Sequence, residues 1–194
     1  MDNETSPQSG REGEAPTALP AEGALPAPII WAPWRLEYIK DARQKKEGVP
    51  CVFCDLGSGD PNRENLVLAK GKVTYVVMNR FPYNNGHLLI CPYQHVAKLK
   101  ELSPQVYQES LWFMGEGMEI LGASMNAEGF NCGLNLGKTA GCGIEDHLHW
   151  HVIPRWLGDT NFMPVIGNTR VMPEYLGNTY DRIADGFQKL RSPL

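Results

Sequence analysis

The stretch His147-Leu148-His149-Trp150-His151-Val152-Ile153 alternates imidazole and apolar side chains, and nothing else in the chain constrains its fold as strongly. Successive side chains of a β-strand point to opposite faces. A strand from His147 to Ile153 therefore presents three imidazoles on one face, while Leu148, Trp150 and Val152 pack a core on the other. A lone histidine is ordinarily a satisfied structural residue, but three at a period of two point to a built site. Two chemistries compete for it. In one, the rings chelate a transition metal. At a rise of about 3.3 Å per residue, His147 and His151 stand roughly 13 Å apart along the backbone. Metal–nitrogen bonds are only about 2 Å long, so two of the rings can share an ion but all three cannot. In the other, the middle histidine is a covalent nucleophile and its neighbours position the substrate.

The segment ahead of the histidines separates the two. In G-L-N-L-G-K-T-A-G-C-G-I-E-D, Gly133, Gly137, Gly141 and Gly143 fall directly before the imidazole face. Glycines let backbone N–H groups approach a phosphate closely, and consecutive N–H groups form an anion-binding concavity. Asn135 adds a side-chain donor and Lys138 a countercharge. A Gly-rich turn set against a histidine face points to a phosphate ester or anhydride.

The rest of the chain reads as an α+β domain. Residues 1–28 are rich in Pro, Gly, Ala, Glu and Ser and are expected to form a disordered tail, with the domain covering 29–194. Trp31 and Trp34 open it, and a short helix is expected from Trp34 to about Lys46. Thr74–Met78 and Leu88–Cys91 read as strands joined across F-P-Y-N-N-G. Ser103 followed by Pro104 predicts a helix start. Leu111, Met114, Met118, Leu121 and Met125 then recur at spacings of three and four, as one buried stripe that Gly129 ends. Strands are expected at Phe130–Leu136 and His147–Ile153. A C-terminal helix follows, carrying Leu176, Tyr180, Ile183, Phe187 and Leu190. The sum is a mostly antiparallel sheet with one long helix packed on it.

Composition excludes several classes. A formal net charge of -4 over 194 residues argues against a nucleic-acid binder, whose footprint is a basic face. No apolar run approaches the roughly 20 residues of a membrane span, and the first ten residues do not resemble a secretory signal. With five scattered cysteines and no export signal, reduced thiols or a metal site are expected rather than disulfides, and a cytoplasmic location follows. Cys51 and Cys54 in C-V-F-C have a zinc-knuckle spacing, and no thioredoxin-like pattern surrounds them. Cys91 and Cys132 have no partner at ligand spacing and are expected to be packing residues.

H-L-H-W-H-V-I resembles the signature of the histidine-triad family, and V-V-M-N-R-F-P-Y-N-N-G-H-L-L-I-C-P resembles the strand pair of its fragile-histidine-triad branch. The span from Asn135 to Pro164 is similar to bacterial members that act on diadenosine tetraphosphate as phosphorylases or hydrolases. The resemblance implies a histidine-triad fold. It also implies attack by His149 on an α-phosphate to give a nucleotidyl-histidine intermediate, with a backbone carbonyl holding the other ring nitrogen. His151 would bond the phosphate oxygens and help the leaving group depart. Asn135, Gly141, Cys142 and Gly143 would serve the phosphate, while Asn79 and His87 match positions beside the nucleotide and the triad. Where relatives carry a hydroxyl donor three residues before the first histidine, this chain has Ile144. The resemblance further implies that His95 and His147 complete a structural zinc site with Cys51 and Cys54, and that the chain forms a homodimer. No organic cofactor is expected, and Mg could accompany the nucleotide. A nucleotide-binding sensor, a nucleotidyltransferase with another acceptor and a strand-based metal protein are the alternatives.

Overall fold

The computed structural model describes residues 51–167 and 171–194. The tail expected over 1–28, Trp31, Trp34 and the helix expected from Trp34 to about Lys46 lie outside the described residues. Strands β1 (Val67–Lys70), β2 (Thr74–Met78), β3 (Leu88–Pro92), β4 (Gly129–Leu134) and β5 (Trp150–Arg155) form one antiparallel sheet in the order β1-β2-β3-β5-β4. Helices α1 (Val52–Ser58), α2 (Pro104–Met125), α3 (Met163–Ile166) and α4 (Leu176–Gln188) accompany it. The α+β expectation holds.

Strands β2 and β3 are buried along their whole lengths, so both faces of the sheet centre are covered. On one face lie α2 and α4. There Leu88, Leu121, Ile183, Phe113 and Phe187 are almost fully excluded from water, each burial stabilising the fold by about 1.5–3 kcal/mol. Trp150 reaches the same layer, its ring 6.5 Å from that of Tyr107 on α2. The other face carries Val77, Leu89 and His151, which line a cavity together with α1. Alternation along β5 thus divides Trp150 and Val152 from His151, as the sequence pattern requires.

Several expectations need correction. The long helix begins at Pro104 as expected, with Ser103 at its N-cap, but the Ser103 side chain makes no capping bond. The helix ends at Met125 rather than near Gly129. Asn126 takes a left-handed conformation, φ 53°, the geometry of a helix C-terminus, and Gly129 opens β4 instead. The buried stripe of α2 is rotated from the one predicted: Val106, Glu109, Ser110, Phe113, Gly117 and Leu121 face inward, while Leu111 is exposed. The methionines misled because a long flexible side chain can lie along a helix flank, half covered. The strand expected over His147–Ile153 starts at Trp150, since His147 through His149 approach the sheet before its ladder begins. Cys91 is fully buried, as expected of a packing residue, but Cys132 is exposed on β4, an edge strand with no outer neighbour among the described residues.

One charged residue is built into the core. The Glu109 carboxylate accepts hydrogen bonds from the backbone N–H groups of Lys72, Val73 and Thr74, from the Thr74 hydroxyl and from Ser192. It therefore clamps the β1–β2 turn to α2 and to the C-terminal segment. Burial pushes its pKa up, but the bonds from Ser192, Lys72, Val73 and Thr74 outweigh this and hold the carboxyl below its ordinary value.

Candidate active site

The site grows out of the β3–β5 pairing. Leu89 and Gly133 both stand opposite His151, one on each neighbouring strand. Gly133 has no side chain and Leu89 stops short, so the ring of His151 opens onto the cavity. His87 lies one step diagonally from it and is 1% exposed. Cross-strand diagonal neighbours are within reach of side chains this long, and His87 Nε2 sits 2.9 Å from His151 Nδ1.

Hydrogen bonds decide which nitrogen of each ring carries a proton. The backbone N–H of Tyr83 donates to His87 Nδ1 at 3.0 Å, and the Asn79 amide approaches the same atom at 3.3 Å. His87 Nδ1 is thus an acceptor, and in the neutral ring the proton sits on Nε2 and is donated to His151 Nδ1. His151 then carries its own proton on Nε2. Tyr83 covers this pair, its ring 4.9 Å from that of His87 and 5.8 Å from that of His151, while its hydroxyl accepts from Asn135.

The same argument applied to His149 gives the opposite result. A carbonyl can only accept, so His149 Nδ1–H donates to the carbonyl of His147 at 2.9 Å. The lone pair is left on Nε2, on a ring that lines the cavity. The ring centroid is 5.0 Å from that of His151 and 4.7 Å from that of Phe53. Burial lowers the pKa of His149 and the bond to His147 only partly opposes this, so the neutral ring is favoured near neutral pH.

His147 is turned the other way. Its Nε2–H donates to the Pro92 carbonyl at 2.8 Å, which leaves the lone pair on Nδ1, 3.4 Å from Cys51 Sγ and 3.5 Å from Cys54 Sγ. His95 Nδ1 lies 3.3 Å from Cys54 Sγ, and the four ligand atoms are all within 4.8 Å of one another. Tetrahedral zinc with bonds of about 2.0–2.3 Å separates its ligands by roughly 3.5 Å, so the donor set fits that ion. The loop after β3 is held in place for this by Leu148 N–H, which donates to the Val96 carbonyl.

The cavity has a volume of about 550 Å³. Its walls divide by chemistry. Val52, Phe53 and Leu56 of α1, with Leu66, Val77 and Met78, supply an apolar side. Gly141, Gly143, Asn135 and Asn79 stand with His149 and His151 on the polar side. Gly141 takes φ 82° and Gly137 φ 78°, a left-handed backbone that glycine adopts without strain. Cys142 is not on the cavity wall, because its thiol donates to the Ile144 carbonyl at 3.1 Å. The α1 wall, Leu66 and Tyr83 were not anticipated as site residues. The apolar pair inside C-V-F-C and the aromatic between Pro82 and Asn84 were the available signals. Leu66 had none: its φ of 63° is rare for a non-glycine residue, and its carbonyl accepts from Met78 N–H.

Residues 61–156 match the HIT domain. The chain is 37% identical over 155 residues to a protein of Mycobacterium tuberculosis named AP-4-A phosphorylase, with 77% of this chain and 79% of that one covered.

The chain belongs to the histidine-triad (HIT) family.

It is also 30% identical over 105 residues to an adenosine 5'-monophosphoramidase of Schizosaccharomyces pombe, covering 54% of this chain and 74% of that one. A Zn-bound histidine-triad protein of Mycobacterium smegmatis has a similar fold, with a TM-score of 0.58 at 22% identity, over 72% of this chain and 94% of that one. The alternating histidines lie within the span that matches the family.

Proposed function

We propose that this HIT protein cleaves a phosphoanhydride of a dinucleoside polyphosphate, of the diadenosine tetraphosphate kind, by passing a nucleotidyl group through His149. The observation that carries the reading is a cavity lined by both His149 and His151, with His149 Nδ1 held 2.9 Å from the His147 carbonyl so that its Nε2 is left as the acceptor. In the first step His149 Nε2 forms a bond to the α-phosphorus and the bond to the bridging oxygen breaks, so the departing nucleotide leaves with the electron pair. His151 Nε2–H hydrogen-bonds that oxygen as negative charge develops on it, and His87 and the Tyr83 amide keep His151 in the donating tautomer. Asn135 and the backbone N–H of Gly143 stabilise charge on the phosphorus oxygens, while the N–H of Gly141 already donates to the Lys138 carbonyl and shapes the loop. Cys142 shapes the loop instead of touching the phosphate, since its thiol donates to the Ile144 carbonyl and its N–H to the Gly137 carbonyl. In the second step an acceptor oxygen attacks the phosphorus and His149 is regenerated.

The apolar wall of Val52, Phe53 and Leu56 suits a nucleobase, and Asn79 acts by bracing His87 and the turn at Phe81, whose N–H its side chain accepts. A structural zinc on Cys51, Cys54, His95 and His147 supplies no open position for chemistry; it would tie α1 to the triad. A homodimer through β4, an edge strand among the described residues, is part of the same reading.

Phosphate is the favoured acceptor, because the relative named AP-4-A phosphorylase is similar over most of both chains. Purified protein incubated with diadenosine tetraphosphate and inorganic phosphate should yield ATP and ADP. Without phosphate, AMP and ATP would instead mark a hydrolase. No cleavage under either condition would contradict the proposal and favour a nucleotide sensor.

A further inference from the structure

The cysteine–histidine cluster and the cavity share two pieces of structure, and these couple them. The first is α1. Cys51 immediately precedes this helix and Cys54 lies within it, on its cluster side. Val52, Phe53 and Leu56, interleaved with them, form the cavity's apolar wall. The second is the residue His147. Its ring offers Nδ1 to the cluster while its carbonyl holds the Nδ1–H of His149. Phe53 spans both, with its ring 5.5 Å from the His147 ring and 4.7 Å from the His149 ring. A helix of 7 residues is too short to be stable alone, so its position depends on what anchors it. Among the described residues, its polar tethers besides the cluster include the Tyr75 hydroxyl, which donates to the Phe53 carbonyl at 2.6 Å. The cluster is also reachable from outside: His147 is fully buried, but His95 is exposed.

We infer that the cluster is an effector site for the nucleotide pocket, so that metal and nucleotide bind with reciprocal positive coupling. The inference rests on the metal reading of Cys51, Cys54, His95 and His147, and adds that occupancy there sets the nucleobase wall. Metal ligation fixes Cys51 and Cys54, which holds Phe53 against His149 and closes the apolar side of the cavity. A nucleotide packed on Val52, Phe53 and Leu56 holds the same helix from its other side and so keeps the cysteines converged. Any ligand that raises another's affinity has its own raised by the same factor.

The test uses zinc and AMP, which has no anhydride to cleave. AMP affinity is measured by calorimetry on zinc-loaded and chelated protein, and zinc affinity by chelator competition with and without saturating AMP. Circular dichroism checks that the chelated protein remains folded. The expected result is a loss of AMP affinity of roughly tenfold on zinc removal, within the usual range of site–site coupling, and an equal loss of zinc affinity without AMP. His95→Ala, at an exposed ligand position, should lower zinc affinity and carry AMP affinity down with it at a fixed low zinc concentration. Phe53→Leu should still bind zinc but lose most of the coupling. Stoichiometric zinc binding with identical AMP affinities in both forms would overturn the coupling while leaving the metal site standing. Failure to bind zinc tightly at all would overturn the metal reading and the coupling together.

Discussion

His147 and His151 stand two residues to either side of His149 in the sequence, yet their surroundings share almost nothing. The ring of His147 is withdrawn from the cavity, pinned through Nε2–H to Pro92 and turned by Nδ1 toward Cys51 and Cys54. The ring of His151 opens onto the cavity and is oriented by His87, which is itself fixed by the Tyr83 amide. One flank is a fixed scaffold, and burial holds the His147 pKa below its ordinary value despite the bond to Pro92. The other flank is a chain of hydrogen bonds that ends in the ring of His151 on the cavity wall. Alternation gives the three rings one spacing; their different jobs come from what the neighbouring strands and loops place against each of them.

The comparison can be broken at its centre first. His149→Ala should lower kcat by at least about 10⁴-fold, the scale on which removing a covalent nucleophile acts. AMP affinity should stay within a few-fold, because the apolar wall and the glycine loop remain. A variant that keeps its turnover would end the assignment of His149.

On the donor flank, His87→Leu removes the group that fixes the tautomer of His151. The kcat should fall about 10²-fold, as for loss of one preorganised hydrogen-bond donor, with KM little changed. His87→Gln, which can still donate near the position of Nε2, should recover part of that loss. A purely packing role for His87 predicts the reverse, with leucine tolerated better than glutamine. On the scaffold flank, Cys51→Ser should lose about one equivalent of bound zinc and lower kcat/KM by roughly 10-fold, the usual consequence of disturbing groups that orient a site from behind. Metal analysis beside steady-state kinetics tests both.

The smallest effect on catalysis should come from Glu109, which is remote from either flank. Glu109→Gln turns an amide N–H₂ toward a nest of N–H and O–H donors and should destabilise the fold by about 2–3 kcal/mol, with kcat/KM preserved in the folded fraction. The folded pKa of Glu109 lies below its unfolded value. Its contribution is therefore fully present above the unfolded carboxyl pKa and is lost as pH falls through the folded one. Denaturant midpoints measured from pH 7 down to pH 3 should converge between wild type and variant. A constant gap would mean that the carboxylate charge is not what stabilises the clamp.

Much of the site is legible from residues alone because its groups repeat at short range. His147, His149 and His151 are read from a period of two, the glycine loop from Gly137, Gly141 and Gly143, and the cysteine pair from its spacing. The β2 and β3 strands and the final helix are read equally directly. Long-range placement is harder to see. That Phe53 touches His149 depends on α1 crossing a sheet face formed from residues far along the chain. That the Tyr83 amide sets the tautomer of His151 depends on a turn conformation and a strand register acting together. The end of α2 was misplaced because Asn126 takes the left-handed conformation that glycine more often supplies. Strand β1 went unread because four residues, V-L-A-K, carry too little alternation to register. For Leu66, nothing in local propensity favours a left-handed leucine.

The most direct test of the central claim is whether the nucleotidyl group ever resides on His149. Diadenosine tetraphosphate labelled at the α-phosphorus is mixed with excess protein, quenched in alkaline denaturant within the first turnover and analysed by peptide mass spectrometry. The account predicts one adenylyl group, on the peptide that contains His149, absent from the His149→Ala protein and discharged when phosphate is added before the quench. Product formed at full rate with no labelled peptide, or with the label on His147 or His151, would contradict it.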